Sequence, residues 1–207
     1  MLKVYGWKSS SNVQKVLWCL GELGLEHDLV GKGGPFGGHK EPEYLKLNPN
    51  GLLPTIDDDG VVLWESNAIV RYLAAKHGQG GLWPTDLAER AGADRWMDWQ
   101  QTVIRDAITP VFLGMVRKKP HERDMAAIGA ARDRLAAALR ILDAHLAAQP
   151  YVAGPRFTMG DIPLGIHVWR WYAMDIKRED FPNLKAWYER LCRRRPFDET
   201  VVKVGFG

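Results

Sequence analysis

The chain has 207 residues, 46% hydrophobic and 26% charged, which excludes a disordered chain and leaves room for one large domain or two small ones. It has no run of eighteen apolar residues to span a membrane, no apolar stretch of signal-peptide length at its start, and only two cysteines, Cys19 and Cys192, all of which suits a cytoplasmic setting. The net charge of +3 divides into −1 over residues 1–76 and +4 over the rest, so any case for nucleic acid concerns the second part alone.

Leu2 to Gly6 reads as a short strand. Val13, Val16, Leu17, Leu20 and Leu23 then recur at helical spacing, and Gly24 is placed to end that helix. His27 to Val30 supplies a second strand, and Gly31 to Gly38 a loop too irregular for a phosphate-binding fingerprint. Two β-rich runs, Leu53 to Ile56 and Val61 to Trp64, flank an Asp-Gly turn and predict a hairpin. A helix over Ala68 to Ala75 follows Glu65-Ser66-Asn67. The order βαβ, loop, ββα fits one mixed sheet with helices.

Gly78 to Asp86, with three glycines and a proline, reads as a linker between a first domain over 1–77 and an all-helical domain over 87–207. The helical pattern is plainest over 126–148, where Ile128, Ala131, Leu135, Leu139, Leu142 and Leu146 form one apolar stripe. Thr158-Met159-Gly160-Asp161 has the form of a capping box, with Phe157 and Ile162 at staple positions, and predicts a helix starting at Thr158 with a structural role for Asp161.

Three places in the first domain offer chemistry. Ser9-Ser10-Ser11-Asn12 lies at the start of the first helix, where free N–H groups and the helix dipole favour an anion; N-capping is the ordinary role of any one of these serines. In Asn50-Gly51-Leu52-Leu53-Pro54-Thr55, Pro54 either opens a strand or makes a cis turn that exposes its neighbour's backbone. Glu65-Ser66 opens a helix and is either a cap or a carboxylate-binding pair.

In this order and spacing the chain resembles the cytosolic glutathione transferases. The resemblance is most specific over Asn48-Pro49-Asn50-Gly51-Leu52-Leu53-Pro54-Thr55 and Leu63-Trp64-Glu65-Ser66-Asn67-Ala68-Ile69-Val70-Arg71-Tyr72-Leu73, and it is nearest to a bacterial serine-type branch related to the theta, delta and zeta classes. It implies an α/β thioredoxin-like N-terminal domain, an all-α C-terminal domain, a homodimer and glutathione as co-substrate, with no other cofactor. Fourteen residues before Gly24 stands Ser10, at the family's spacing for the catalytic serine, with Ser11 next and Asn12 assisting. By the same resemblance Leu53, before a cis-Pro54, offers its backbone to the cysteinyl part of glutathione. Glu65 takes the γ-glutamyl amine, Ser66 the γ-glutamyl carboxylate, and His39 the glycyl carboxylate. The zeta-type Ser-Ser-Cys pattern becomes Ser10-Ser11-Asn12 here, a departure from the isomerases of that class.

The resemblance places the electrophile pocket in the helical domain. The candidates are Trp96, Trp99, Val103, Phe112, Met115 and Trp169, with Arg105 and Arg117 as anion-binding candidates; core packing is the ordinary role of the apolar ones. Cys19, among apolar helix positions, reads as a buried hydrophobe. No histidine shows metal-ligand spacing, and the Arg193–Arg195 run reads as a solvated face, so neither a metal nor nucleic acid is expected. The expected activity is conjugation of glutathione to small electrophiles, or displacement of halide from them. Glutathione-dependent peroxide or disulfide reduction, and a non-catalytic binding protein of this fold, are the alternatives.

Overall fold

The computed structural model describes residues 1–206. Two compact units divide the chain: one is Met1–Trp83 together with the segment from Arg195 onward, the other Pro84–Arg194.

In the first unit a four-stranded sheet has the order β2-β1-β3-β4, with β1 (Lys3–Gly6), β2 (Asp28–Gly31), β3 (Thr55–Asp58) and β4 (Val61–Trp64). β1 and β2 run parallel, joined through helix α1 (Ser11–Leu23); β1/β3 and β3/β4 are antiparallel. Val4 sits opposite Leu29 on one side and Ile56 on the other, and both Val4 and Ile56 are fully buried. The Asp-Gly turn is as expected: Asp59 (φ 52°) and Gly60 (φ 93°) both take positive φ, and Gly60 N–H donates to Asp57 Oδ1 at 2.8 Å. Gly24 ends α1 in the left-handed conformation (φ 65°, ψ 27°), which a glycine adopts without steric cost. Helix α2 (Pro42–Leu45) is a single turn in the loop before β3, and α3 (Ser66–His77) packs against α1.

α1 is buried from Val13 to Leu20, not along one stripe. One reason lies at the far end of the chain. Helix α9 (Arg195–Phe197) and the widened turn Asp198–Val202 pack against α1, with the Phe197 ring centroid 4.5 Å from that of Trp18 and both side chains fully buried. The sequence runs the helical domain to 207, whereas the segment from Arg195 groups with the first unit.

The second unit is built from helices α4 (Leu87–Trp99), α5 (Arg105–Phe112), α6 (Met125–Leu146), α7 (Asp161–Ala173) and α8 (Pro182–Cys192). Asp86 caps α4 and Asp124 caps α6, each carboxylate accepting from the backbone N–H three residues on, at 2.8 and 2.9 Å. Widened turns closed by i→i+5 hydrogen bonds flank α5, at Gln100–Ile104 and Leu113–Arg117. The apolar stripe of α6 is buried as its spacing requires. No helix among the described residues is long and apolar enough to cross a membrane.

α7 starts at Asp161, three residues later than its capping signal suggests. The carboxylate is engaged outside the helix: it accepts from Thr158 N–H (2.9 Å), Val152 N–H (3.1 Å) and Trp187 Nε1–H (2.9 Å), with Thr158 Oγ1 at 3.4 Å. Asp161 therefore ties the α6–α7 connection to α8. Burial pushes its carboxyl up to about 6, against the lowering effect of these donors.

Candidate functional site

In the first unit the N-termini of α1 and α3 meet. Ser10 is the N-cap of α1 (φ −70°, ψ 122°), and its side chain makes no capping hydrogen bond. Its backbone is held, N–H to Trp7 C=O at 3.1 Å and C=O to Gln14 N–H at 2.8 Å, while the half-buried hydroxyl is committed to neither end of the helix. Ser11 is the first residue of α1. Asn12, one position on, accepts through Oδ1 from the Ser66 hydroxyl at 3.3 Å, and this contact joins the two helix starts.

At the start of α3, Glu65 is exposed and takes φ 70°, ψ 108°, a region that side chains with a Cβ rarely adopt. Such backbone strain is of order 1–3 kcal/mol and collects at functional sites. Glu65 does not cap α3 with its side chain, so both helices present N-terminal N–H groups without a side-chain cap. Beneath them lies a residue the sequence did not single out. Lys15 is fully buried, and its ammonium donates to Ser66 Oγ (3.3 Å) and Asn67 Oδ1 (3.1 Å). Two positive helix ends and a buried cation thus converge on Ser66, an arrangement suited to a carboxylate or another anion.

The Leu53–Pro54 peptide is cis, one of the two outcomes open for that proline. A polar network shapes the loop before it. The buried Tyr44 hydroxyl and Asn48 Nδ2 both donate to Leu52 C=O, at 2.6 and 2.9 Å, and Asn48 Nδ2 also reaches Thr55 Oγ1 at 3.2 Å. Asn48 Oδ1 accepts from the backbone and side chain of Asn50, each at 3.1 Å. Leu53 itself has no backbone hydrogen bond among the described residues, which leaves its N–H and C=O for a peptide-like ligand. Gly51 (φ 57°) sits so near the preceding loop that a Cβ there would lie 2.9 Å from His39 C=O. His39 thus lies beside the turn that leads to Leu53, half-buried, with Nδ1 out of solvent and lacking a partner within the chain.

The geometry matches a whole-chain family. The Glutathione S-transferase N-terminal domain matches residues 9–76 and the Glutathione S-transferase C-terminal domain residues 122–190. Glutathione S-transferase GstB of Escherichia coli K12 is 40% identical over 98% of this chain and 98% of its own. The chain belongs to the glutathione S-transferase family. Further along that family, Glutathione S-transferase 3 of Zea mays is 34% identical, over 98% of this transferase and 94% of the maize protein. The crystal structure of a theta class glutathione S-transferase from Xanthomonas axonopodis pv. citri, with glutathione bound, superposes with a TM-score of 0.94 at 47% identity, covering 97% of this chain and 96% of that one.

In the helical unit of this transferase the candidate residues separate into groups. Trp96 is buried and meets Trp99 edge-on at 5.0 Å and His145 at 4.6 Å. Trp169 is buried within α7, and Arg105 and Val103 are exposed. Met115 lies in the widened turn after α5, where its carbonyl accepts from Arg123 Nη2 at 2.8 Å. Phe112 is covered by two guanidiniums, those of Arg117 and of Arg170, the latter not anticipated from the sequence. Among the described residues no group of three or more His, Cys, Asp or Glu lies together to hold a metal ion. Burial pushes the Cys19 thiol far above its ordinary value, which keeps it an unreactive core group.

Proposed function

We propose that this glutathione S-transferase uses the Ser10 hydroxyl to hold the glutathione sulfur as a thiolate for attack on small electrophiles. The observation that carries this reading is the junction of the α1 and α3 N-termini at Asn12 and Ser66 over buried Lys15, with the Ser10 hydroxyl left free of capping. In it, Ser66 and the α3 N-terminus bind the γ-glutamyl carboxylate and Glu65 the γ-glutamyl amine. The Leu53 N–H and C=O pair with the cysteinyl backbone, and His39 binds the glycyl carboxylate.

A free thiol of pKa about 8.5 is only a few per cent ionised at neutral pH. Lowering that value by about two units takes roughly 2.7 kcal/mol of preferential stabilisation of the anion. A charge-assisted hydrogen bond from a hydroxyl supplies about 1.5–3 kcal/mol, and the dipole of α1 adds to it. Ser10 is thus a donor to the nucleophile and need not lose its own proton.

Ser10→Ala is expected to raise the pKa of bound glutathione by about one to two units and to cut kcat/KM with a chloronitroarene on the order of 10–100-fold. The ultraviolet absorbance of the thiolate and the pH–rate profile read this directly. An unchanged pKa and rate would move the role to Ser11 or Asn12. The same reading makes the enzyme a cytoplasmic homodimer, and sedimentation of the purified protein tests the dimer.

A further inference from the structure

Within the helical unit, α6 and the connection from α7 to α8 enclose a cavity of about 140 Å3. Arg132 and Asp133 reach it from α6, Trp171 from the last turn of α7, and Lys177, Arg178 and Glu179 from the connection. A single water needs only about 10–15 Å3, whereas sites for drug-sized ligands run to roughly 300–1,000 Å3. The size is that of a small ion.

Two N–H groups of the wall have no acceptor. Trp171 is fully buried, and its indole Nε1–H is out of solvent without a partner in the chain; Arg132 Nε–H is in the same position. Buried donors are ordinarily paired, so each exception calls for an explanation. Lys177, exposed, adds an ammonium that enters no ion pair among the described residues. The other polar groups are engaged. Arg178 Nη1 donates to Met174 C=O at 2.6 Å and to Trp171 C=O at 3.3 Å, closing the end of α7. Asp133 pairs with Arg132 Nη2, and Glu179 with Arg140 of α6. With both carboxylates answered, what the wall leaves open is N–H donors alone, and three cations against two carboxylates suit one small anion and not a polyanion. The open donors come from three elements. A tetrahedral oxyanion can present an oxygen to each, whereas a planar carboxylate has only two to offer.

We propose that this cavity binds one tetrahedral oxyanion, phosphate or sulfate, free or as the end group of a small ester, held by Arg132 Nε–H, Trp171 Nε1–H and the Lys177 ammonium. Once bound, the anion ties the α7–α8 connection to α6 and stabilises the fold by its occupancy. The proposal does not depend on the transferase reading.

The test is calorimetric titration of the purified protein at constant ionic strength with inorganic phosphate, sulfate, glycerol phosphate and acetate in separate runs. A tetrahedral anion is expected to bind saturably, one per chain, and acetate about 10-fold more weakly. Lys177→Gln removes an exposed, unpaired charge, so the variant is expected to fold, and to weaken binding by about 10-fold. Arg132→Lys keeps the charge but loses the Nε–H, and should weaken binding too, which a merely electrostatic attraction would not produce. In 15N-labelled wild type, the Trp171 indole N–H resonance, assigned by triple-resonance spectra, should move downfield with the same midpoint as the heat. Tighter binding of glycerol phosphate than of phosphate supports the site with an ester as its occupant; the reverse order supports it with the free ion. No saturable binding, acetate binding as tightly as phosphate, or affinities that both variants leave unchanged would overturn the proposal. A Trp171 resonance that stays in place would do so as well, and would mean that the cavity holds only water.

Discussion

Asp161→Ala is expected to cost about 3 kcal/mol or more of folding stability, a large share of the roughly 5–15 kcal/mol of a typical domain. The carboxylate accepts from the Val152 and Thr158 amides and from the Trp187 indole, all in fully buried surroundings. Alanine would leave those three N–H groups without an acceptor, and each such loss costs on the order of 1–3 kcal/mol. The side chain joins the α6–α7 connection to α8, so the damage spreads beyond the start of α7. Urea unfolding should show a lower midpoint and lower recovery of soluble protein; a loss below about 1 kcal/mol would mean that water satisfies the freed donors.

The same residue gives a pH dependence of definite sign. In the fold its carboxyl is pushed up to about 6, whereas in the unfolded chain it has the ordinary value near 3.8. Between these values the folded state keeps a proton that the unfolded state releases, so this group's contribution to stability falls as pH rises from about 4 to 6 and is constant above. The gap in stability between wild type and Asp161→Ala should therefore be larger at pH 5 than at pH 7. A gap that widens with pH would mean the donors outweigh burial and hold the carboxyl low.

Local chemistry made much of this molecule legible. Gly24 ends α1 and Asp59-Gly60 turns the hairpin because each conformation is decided within a few residues. Long-range packing was not legible. Lys15 lies in a helix that ordinarily exposes a lysine, yet α1 is enclosed by α3 and by the chain from Arg195, whose docking joins residues some 180 positions apart, as in Gln14 Nε2 to Thr200 C=O. Glu65 carries no local sign of positive φ, since neither glycine nor asparagine stands there. In Thr158 to Asp161 the capping signal was sound but placed the helix start too early. The Asp161 carboxylate is drawn to Val152 and Trp187 as well as Thr158, and those two partners come from other segments. The widened turns on either side of α5 flank a helix that contains Pro110, which has no N–H to give to the Asp106 carbonyl, but the sequence does not show which turns widen around it. For the proposed site, Ser10, Leu53, Pro54, Glu65 and Ser66 were candidates from the sequence alone, whereas Lys15, buried against Ser66, was not.

That cation gives the largest expected effect on binding. Lys15→Met is expected to weaken glutathione binding on the order of 10–100-fold, with a smaller change in kcat. A unit charge about 6 Å from a carboxylate at Ser66 contributes roughly 3 kcal/mol at an effective dielectric near 20, and a thioether contributes nothing comparable. The substitution also removes a donor from Ser66 Oγ and from Asn67 Oδ1, so some stability is lost as well. Affinity and stability have to be read separately, by calorimetric titration with glutathione and by urea unfolding. Lys15→Arg keeps the charge, though not the size, and should hold affinity better than methionine even if it destabilises the packing more. If the methionine variant melts early but binds glutathione as tightly as the wild type, Lys15 only braces α1 against α3. If affinity follows charge across the two variants, the buried ammonium is part of the carboxylate site, and the cost of burying it is met when the ligand arrives.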